Sequence, residues 1–194
     1  WSPVGSLEAI YSEADILSYG GDKPVTTWME EPTMLGGLDP SFTHFGDKAV
    51  FVVGRVGKAY DPLTKTEQKV FERVATYVLD NDITDTSIDK NEWVVALVKQ
   101  KMQQHRIKPE NLSMDSTGGG TAFSSLLRRD IGTGFLDVIF NESASDMKFS
   151  ASDKRTGKER FVNMMSEIWF VGKELIRSGQ VRGLDPDTII EMTS

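Results

Sequence analysis

Apolar and polar positions along the chain alternate between strand-like and helix-like periods. Residues 48–56 form a nearly continuous run of β-branched and aromatic side chains, which predicts a central strand buried on both faces. Residues 57–65 have turn chemistry and predict a hairpin. Residues 68–78 mix the two periods, so they are compatible with a second strand without establishing one.

Further elements follow in an alternating order. The pattern predicts helices over 86–104, 121–129 and 159–178, short strands over 111–114 and 134–140, and a polar loop over 143–158. Met164, Met165 and Trp169 are expected to face the core from the longest helix. A last short helix is predicted to begin at Asp185 or Thr188. This order is typical of an α/β fold with crossover connections.

The N-terminal region differs from the rest. Residues 1–33 have loose helical spacing that Gly20-Gly21 interrupts. We interpret them as a linker or N-terminal extension packed against a main domain at residues 34–194. With 194 residues, the chain is expected to form one domain or at most two.

Composition excludes several classes of protein. No apolar run approaches the roughly 18 residues of a membrane span, and there is no cysteine for disulfides or thiolate metal sites. The net charge of −7 argues against a general nucleic-acid coat. A local basic cluster nevertheless stands in the second half, and it fits either a phosphate-binding patch or a solvated loop: Lys148, Lys154, Arg155, Lys158 and Arg160.

Two acidic turns carry the candidate chemistry. Asp39 lies in Gly36-Gly37-Leu38-Asp39-Pro40, and Asp115 opens Asp115-Ser116-Thr117-Gly118-Gly119-Gly120. Each carboxylate lies beside a predicted strand, so the two would be side by side if those strands are neighbours. Paired carboxylates repel unless a cation lies between them, and Mg²⁺ prefers such oxygen ligands. Ordinary Asx or Asp-Pro turns are the alternative.

Other chemistry is less well supported. Asp47, in Gly46-Asp47-Lys48, either supports the metal site or belongs to a surface turn. Ser116 and Thr117 have no nearby histidine in the sequence, which disfavours a serine-type nucleophile. The Walker-type phosphate loop is absent from the sequence.

Four stretches, taken in order, resemble the C-terminal nuclease domain of the large terminase subunit of tailed bacteriophages. They are Trp1-Ser2-Pro3-Val4-Gly5 through Asp15, Gly37-Leu38-Asp39-Pro40 with Gly46-Asp47-Lys48, Met114-Asp115-Ser116-Thr117-Gly118-Gly119, and Arg160-Phe161-Val162-Asn163 with Glu167 through Gly179. The resemblance implies a ribonuclease-H-like fold, in which a central mixed sheet is flanked by helices. It also implies an endonuclease that uses two Mg²⁺ or Mn²⁺ ions to cut concatemeric viral double-stranded DNA during genome packaging.

The resemblance assigns individual roles. Asp39 and Asp115 match the first two acids of a catalytic, metal-binding triad, and Lys154, Arg155, Lys158 and Arg160 match a DNA-facing loop. The third acid is not found in this chain, because its segment lies beyond the part that Leu184 to Glu191 matches. Residues 1–33 would then lead from a packaging ATPase, and the domain at 34–194 would continue past Ser194.

The resemblance also implies a setting. The partners would be double-stranded DNA, the small terminase subunit and the portal protein, with no membrane. The domain alone would be monomeric, and it would act in the host cytoplasm outside the mature virion. Two alternatives remain open: an actin-like phosphotransferase or ATPase, and a non-catalytic module that docks a packaging motor.

Overall fold

Six strands form one mixed sheet in this computed structural model, which describes residues 10–40, 48–61, 65–79, 87–118, 120–148 and 154–193. The strand order is β5-β4-β1-β2-β3-β6. Strand β1 is antiparallel to β2 and parallel to β4, β4 is parallel to β5, and β3 is parallel to β6. The strands are β1 (Thr33–Asp39), β2 (Val50–Asp61), β3 (Thr66–Val78), β4 (Leu112–Asp115), β5 (Leu136–Val138) and β6 (Val181–Arg182). The predicted α/β fold class is confirmed.

Six α-helices accompany the sheet in the described residues. They are α1 (Glu13–Ser18), α2 (Lys90–Gln104), α3 (Gly120–Ile131), α4 (Gly157–Arg160), α5 (Met164–Arg177) and α6 (Pro186–Thr193). Side-chain oxygens cap several of them. Asp89 accepts hydrogen bonds from the backbone N–H groups of Asn91 and Glu92 at the start of α2. Asp185 accepts one from Thr188 N at 2.9 Å, where α6 begins.

The chain divides into two compact units. One unit contains residues 31–57 and 73–142, and its core is built by strands β1, β2 and β4 with helices α2 and α3. The central side chains of this core are fully buried: Phe51, Val53, Val94, Val98, Met114 and Leu127. The other unit contains residues 1–30, 58–72 and 143–194, and its smaller core comprises Tyr11, Ile16, Ile176, Leu184 and Ile189. The predicted boundary at residue 33 stays a prediction.

Strands β1 and β6 were not predicted from the sequence, and the predicted strands differ from the structure in length. The strand predicted over 48–56 continues to Asp61, so residues 57–61 belong to β2 and not to the predicted turn. The ambiguous residues 68–78 belong to β3. The strand predicted over 134–140 is reduced to three residues, Leu136–Val138. Neighbouring strands decide these cases, because hydrogen bonding in the sheet overrides a mixed local pattern.

The prediction of one core-facing helix over 159–178 is wrong. The segment forms two helices, because Phe161 is extended and the Asn163 side chain caps a new helix by accepting a hydrogen bond from Ser166 N at 2.9 Å. Within α5 only Ile176 is buried, whereas Met165 and Trp169 are 40% and 39% exposed. Its apolar stripe is therefore broader than the surface that covers it.

Candidate functional site

Asp39 and Asp115 end two neighbouring parallel strands. In the register of β1 and β4, Gly37 is opposite Ser113 and Leu38 is opposite Met114. Asp39 and Asp115 are the next pair in that register and the last residue of each strand. Because adjacent strands are about 4.8 Å apart and register partners point to the same face, the two carboxylates lie side by side. The sequence required the strands beside the two acids to be neighbours, and it placed Asp39 beside the strand predicted over 48–56. That strand, β2, is not a neighbour of β4; the two acids are adjacent because Asp39 ends β1, a strand that was not predicted.

The two acids lie on the face of the sheet opposite helices α2 and α3. Leu38 and Met114 are 3% and 1% exposed and pack in the core with α2 and α3. Alternation along each strand therefore directs Asp39 and Asp115 away from that core. Asp39 is exposed and Asp115 is half-buried.

Gly36 and Gly37, which precede Asp39, face opposite sides of the sheet. A methyl group added at Gly36 would lie 3.0 Å from Phe51 Cζ and 3.1 Å from Leu112 Cδ1, so this glycine admits close packing of the core. A methyl group added at Gly37 would meet no described atom within 4 Å. Among the described residues, the space beside Gly37 is therefore unfilled, so a ligand group could approach the backbone next to Asp39.

The turn after β4 fixes the orientation of Asp115. Thr117 N donates a 2.8 Å hydrogen bond to Asp115 Oδ1, which is the Asx turn that the sequence left as an alternative. Ser116 N donates to Val138 O at 2.8 Å, and Phe140 N donates to Thr117 Oγ1 at 3.0 Å. Gly118 has a φ of +71°, which favours glycine. Within the described residues, Asp115 Oδ2 accepts no hydrogen bond, so that oxygen can serve a ligand.

The pair of carboxylates fits a hard divalent cation. Mg²⁺ and similar ions bind proteins through one or two carboxylates while they retain water or take up phosphate oxygens. The described residues contain no group of three or more histidine, cysteine, aspartate or glutamate side chains arranged to hold a metal. Asp47, which the sequence offered as a further ligand, lies outside the described residues. The metal-binding roles of all three aspartates stay predictions.

A third acidic residue, Asp137 of β5, lies beside this turn but on the helical face of the sheet, opposite Met114 in the register. It accepts hydrogen bonds from Ser116 Oγ at 2.6 Å and Ser124 Oγ at 2.9 Å, and its other oxygen accepts one from Arg128. Burial alone would raise the pKa of Asp137, but these three donors and the Arg128 charge together lower the pKa. Asp137 is therefore ionised at neutral pH.

Sequence reasoning missed this network. The available signal was a charged residue at the centre of an otherwise apolar predicted strand, between Leu136 and Val138. Arg128, which follows Ser124 by one helical turn, pairs with Asp137 and also donates to Thr133 O at 3.2 Å. A donor set this complete makes Asp137 part of the support of the site and leaves no oxygen for a cation.

The four predicted DNA-binding residues belong to the other unit. Lys154, Arg155, Lys158 and Arg160 are all exposed. Lys158 Nζ lies 2.7 Å from Asp146 Oδ2, and the Arg160 guanidinium lies 5.4 Å from the centre of the Phe161 ring. Exposed lysines and arginines in one short segment suit contacts with phosphate oxygens. The Asp146 carboxylate beside Lys158 partly offsets the positive potential at that lysine.

Hydrogen bonds hold in place the residues on either side of the loop that carries this basic segment. Lys148 and Thr156 form an antiparallel bridge, and Gly157 N donates to Met147 O at 2.9 Å. Glu167 of α5 accepts hydrogen bonds from both the backbone N–H and the hydroxyl group of Ser145. A methyl group added at Gly157 would lie 2.6 Å from Glu167 Oε2, so a larger residue there would displace the carboxylate that holds Ser145. Residues 149–153 lie outside the described residues.

Comparison with known proteins supports the architecture. No protein-family model matches the sequence, and no curated protein matches it significantly. Among solved structures, the chain is similar to a mutant nuclease domain of the large terminase subunit gp2 of bacterial virus Sf6, determined with manganese and beta-thujaplicinol. The match covers 95% of this chain and 81% of that chain, with a TM-score of 0.50 and 13% sequence identity.

The chain has the ribonuclease-H-like fold of a terminase nuclease domain. The resemblance seen in the acidic turns and the similarity of the whole backbone point to the same fold independently, since one rests on short motifs and the other on topology. Among the described helices, none is long and apolar enough to cross a membrane. At 13% identity, the terminase-type fold does not transfer the activity of the matched domain.

Proposed function

We propose that this chain is a metal-dependent DNA endonuclease that cleaves viral double-stranded DNA during genome packaging. The observation that carries the proposal is the alignment of Asp39 and Asp115 at the ends of neighbouring parallel strands, on the sheet face opposite α2 and α3 of a terminase-type fold. In open α/β sheets, ligands bind beyond the carboxyl ends of the strands, and this is where both acids lie.

The residues of the chain have separate roles in this proposal. Asp39 and Asp115 hold Mg²⁺ or Mn²⁺, and Asp47 is a further candidate ligand. When bound, two such ions activate a water molecule and stabilise the leaving oxygen of an in-line phosphodiester cleavage. The Asx turn keeps Asp115 Oδ1 on Thr117 N and directs the carboxylate from a rigid strand end. The open surface over Gly37 leaves room for the DNA backbone.

The basic segment supplies the affinity for DNA. Lys154, Arg155, Lys158 and Arg160 would neutralise phosphates and position the duplex without reading its sequence. The bonds between Ser145 and Glu167 hold the base of this segment. Binding of this kind weakens steeply with salt, because each phosphate contact releases a counterion.

The packaging setting follows from the resemblance and the fold. In a complete motor, the domain would act with the small terminase subunit and the portal protein in the host cytoplasm. Residues 1–33 would connect it to an ATPase domain.

Digestion of supercoiled plasmid tests the proposal directly. We expect the 194-residue chain to convert plasmid to nicked and linear forms in millimolar Mn²⁺ or Mg²⁺, and chelation with EDTA to stop the reaction. The same incubation with a longer chain that continues past Ser194 would show whether a further acid raises the rate. DNA binding without cleavage by either protein in either metal would instead favour the non-catalytic docking role.

A second prediction concerns the basic segment. The double variant Lys154→Ala/Arg155→Ala is expected to weaken binding to DNA of any sequence and to lower the slope of log K against log salt by about 2. Fluorescence anisotropy over a salt series measures this slope. Lys69→Ala/Lys99→Ala removes the same charge from two exposed lysines outside the segment and is the matched control. Equal slopes for the two double variants would remove the segment from the DNA interface.

A further inference from the structure

Asp137 and Asp115 lie on adjacent strands but on opposite faces of the sheet. In the β4–β5 register, Asp137 is opposite Met114, and Asp115 is opposite Val138. Met114 is buried in the helical core, so Asp137 points to the same side as α3. A cation between Asp39 and Asp115 would therefore not contact Asp137. Asp137 can therefore affect the position of Asp115 only through the backbone, although its charge also acts on a cation through space.

All the hydrogen bonds that the Asp137 carboxylate accepts come from the side of the sheet that α3 covers. One carboxylate oxygen accepts the hydroxyl groups of Ser116 and Ser124, and the other accepts Arg128. Both serines are 7% exposed. Arg128 is itself held by Ser124 Oγ at 3.3 Å and by Thr133 O at 3.2 Å, and it lies 4.5 Å from the centre of the Phe135 ring. This arrangement ties β5, α3 and the turn after β4 into one rigid unit.

Ser116 is the link to the acidic site, because it follows Asp115 directly. Its N–H donates to Val138 O at 2.8 Å and its hydroxyl donates to Asp137, so Ser116 is anchored to β5 by its backbone and by its side chain. The next residue, Thr117, binds Asp115 Oδ1 through its N–H and accepts Phe140 N through its hydroxyl. The position of the Asp115 carboxylate is thus set by a turn whose anchor is Asp137.

We infer that Asp137, acting through Ser116, is a positioning residue that holds Asp115 in the orientation needed to bind a divalent cation. The inference rests on the proposed function, since it assigns support to a metal ligand. Partners that orient ligands from outside the coordination sphere commonly change metal affinity 10- to 100-fold when they are removed. Asp137 lies on the face of the sheet opposite Asp115, so Ser116→Ala, which keeps the charge of Asp137, isolates the positioning effect.

Metal binding by the whole chain tests the inference. Calorimetry or Mn²⁺ electron paramagnetic resonance would compare the wild type with Ser116→Ala and Asp137→Asn. Both variants are expected to bind Mn²⁺ about tenfold more weakly, and their cleavage is expected to recover when Mn²⁺ is raised to saturation. Asp130→Asn is the control, because Asp130 is an acid of α3 whose carboxylate pairs with the neighbouring Arg129 outside the network.

The outcomes are separable. Wild-type Mn²⁺ affinity in Ser116→Ala, even with a lower unfolding temperature, would overturn the inference and leave the network a purely structural one. Ser116→Ala keeps the Asp137–Arg128 pair, so it remains informative if Asp137→Asn does not fold. If Asp115→Asn loses Mn²⁺ binding and Ser116→Ala does not, only the inference fails. If Asp115→Asn binds Mn²⁺ as the wild type does, the proposed function fails as well.

Discussion

Replacing Asp115 or Asp39 with asparagine is expected to lower metal-dependent plasmid cleavage by at least about 100-fold, which corresponds to about 2.7 kcal/mol of lost transition-state stabilisation. Asparagine keeps the shape of the side chain but removes the negative charge that a divalent cation requires. In Asp115→Asn, the amide oxygen can still accept the hydrogen bond from Thr117 N, so the turn is retained. Initial rates of plasmid nicking, measured at several Mn²⁺ concentrations, check the prediction.

The control variant is Asp187→Asn. Asp187 is an exposed acid in the first turn of α6, and it has no role in the proposed site. We expect this variant to cut DNA at the wild-type rate, and we expect all three variants to unfold at nearly the wild-type temperature. Undiminished cleavage by Asp39→Asn or Asp115→Asn would contradict the nuclease assignment.

Much of the fold follows from local patterns that the sequence displays. The apolar run at 48–56 becomes the central strand β2, and the amphipathic period at 86–104 becomes α2. Both segments are long, and their patterns agree with their final surroundings. In α5, Met164, Met165 and Trp169 were also predicted to face the core, yet Met164 is half-buried and the other two are exposed. Periodicity shows that a helix has an apolar face, and tertiary packing decides how much of it is covered.

The acidic site was predictable in outline. The sequence placed Asp115 at the end of a strand, but it placed Asp39 in a turn before the strand at 48–56 and did not predict β1, which Asp39 ends. The adjacency of the two acids depends on β1 pairing with β4 across a long intervening segment. No local pattern specifies that pairing. Asp137 was missed for a related reason, since its role depends on Ser116, Ser124 and Arg128, which come from a turn and a helix that only the folded chain brings together.

Truncating Phe51 is expected to be among the most destabilising changes to the unit that holds the acids. The Phe51 ring is fully buried. In the register of β1 and β2, Phe51 is opposite Leu38, the residue that precedes Asp39. Phe51→Ala should lower the free energy of unfolding by about 3–5 kcal/mol, because the transfer free energy is lost and a cavity remains. Urea denaturation followed by circular dichroism measures the change. Val74→Ala, at a site that is 42% exposed, should cost less than about 1 kcal/mol.

Because Phe51 packs against Gly36, substitutions at these two positions are expected to be coupled in their effects on stability. Gly36→Ala should cost about 1–3 kcal/mol, because the new methyl group would lie 3.0 Å from Phe51 Cζ. In a Phe51→Leu background the ring is gone, so the same methyl group should cost less, with a coupling of about 0.5–3 kcal/mol between the two sites. Gly37→Ala meets open space and should change stability by less than about 0.5 kcal/mol. Additive effects at Gly36 and Phe51 would mean that the ring does not set the spacing of the strand that carries Asp39.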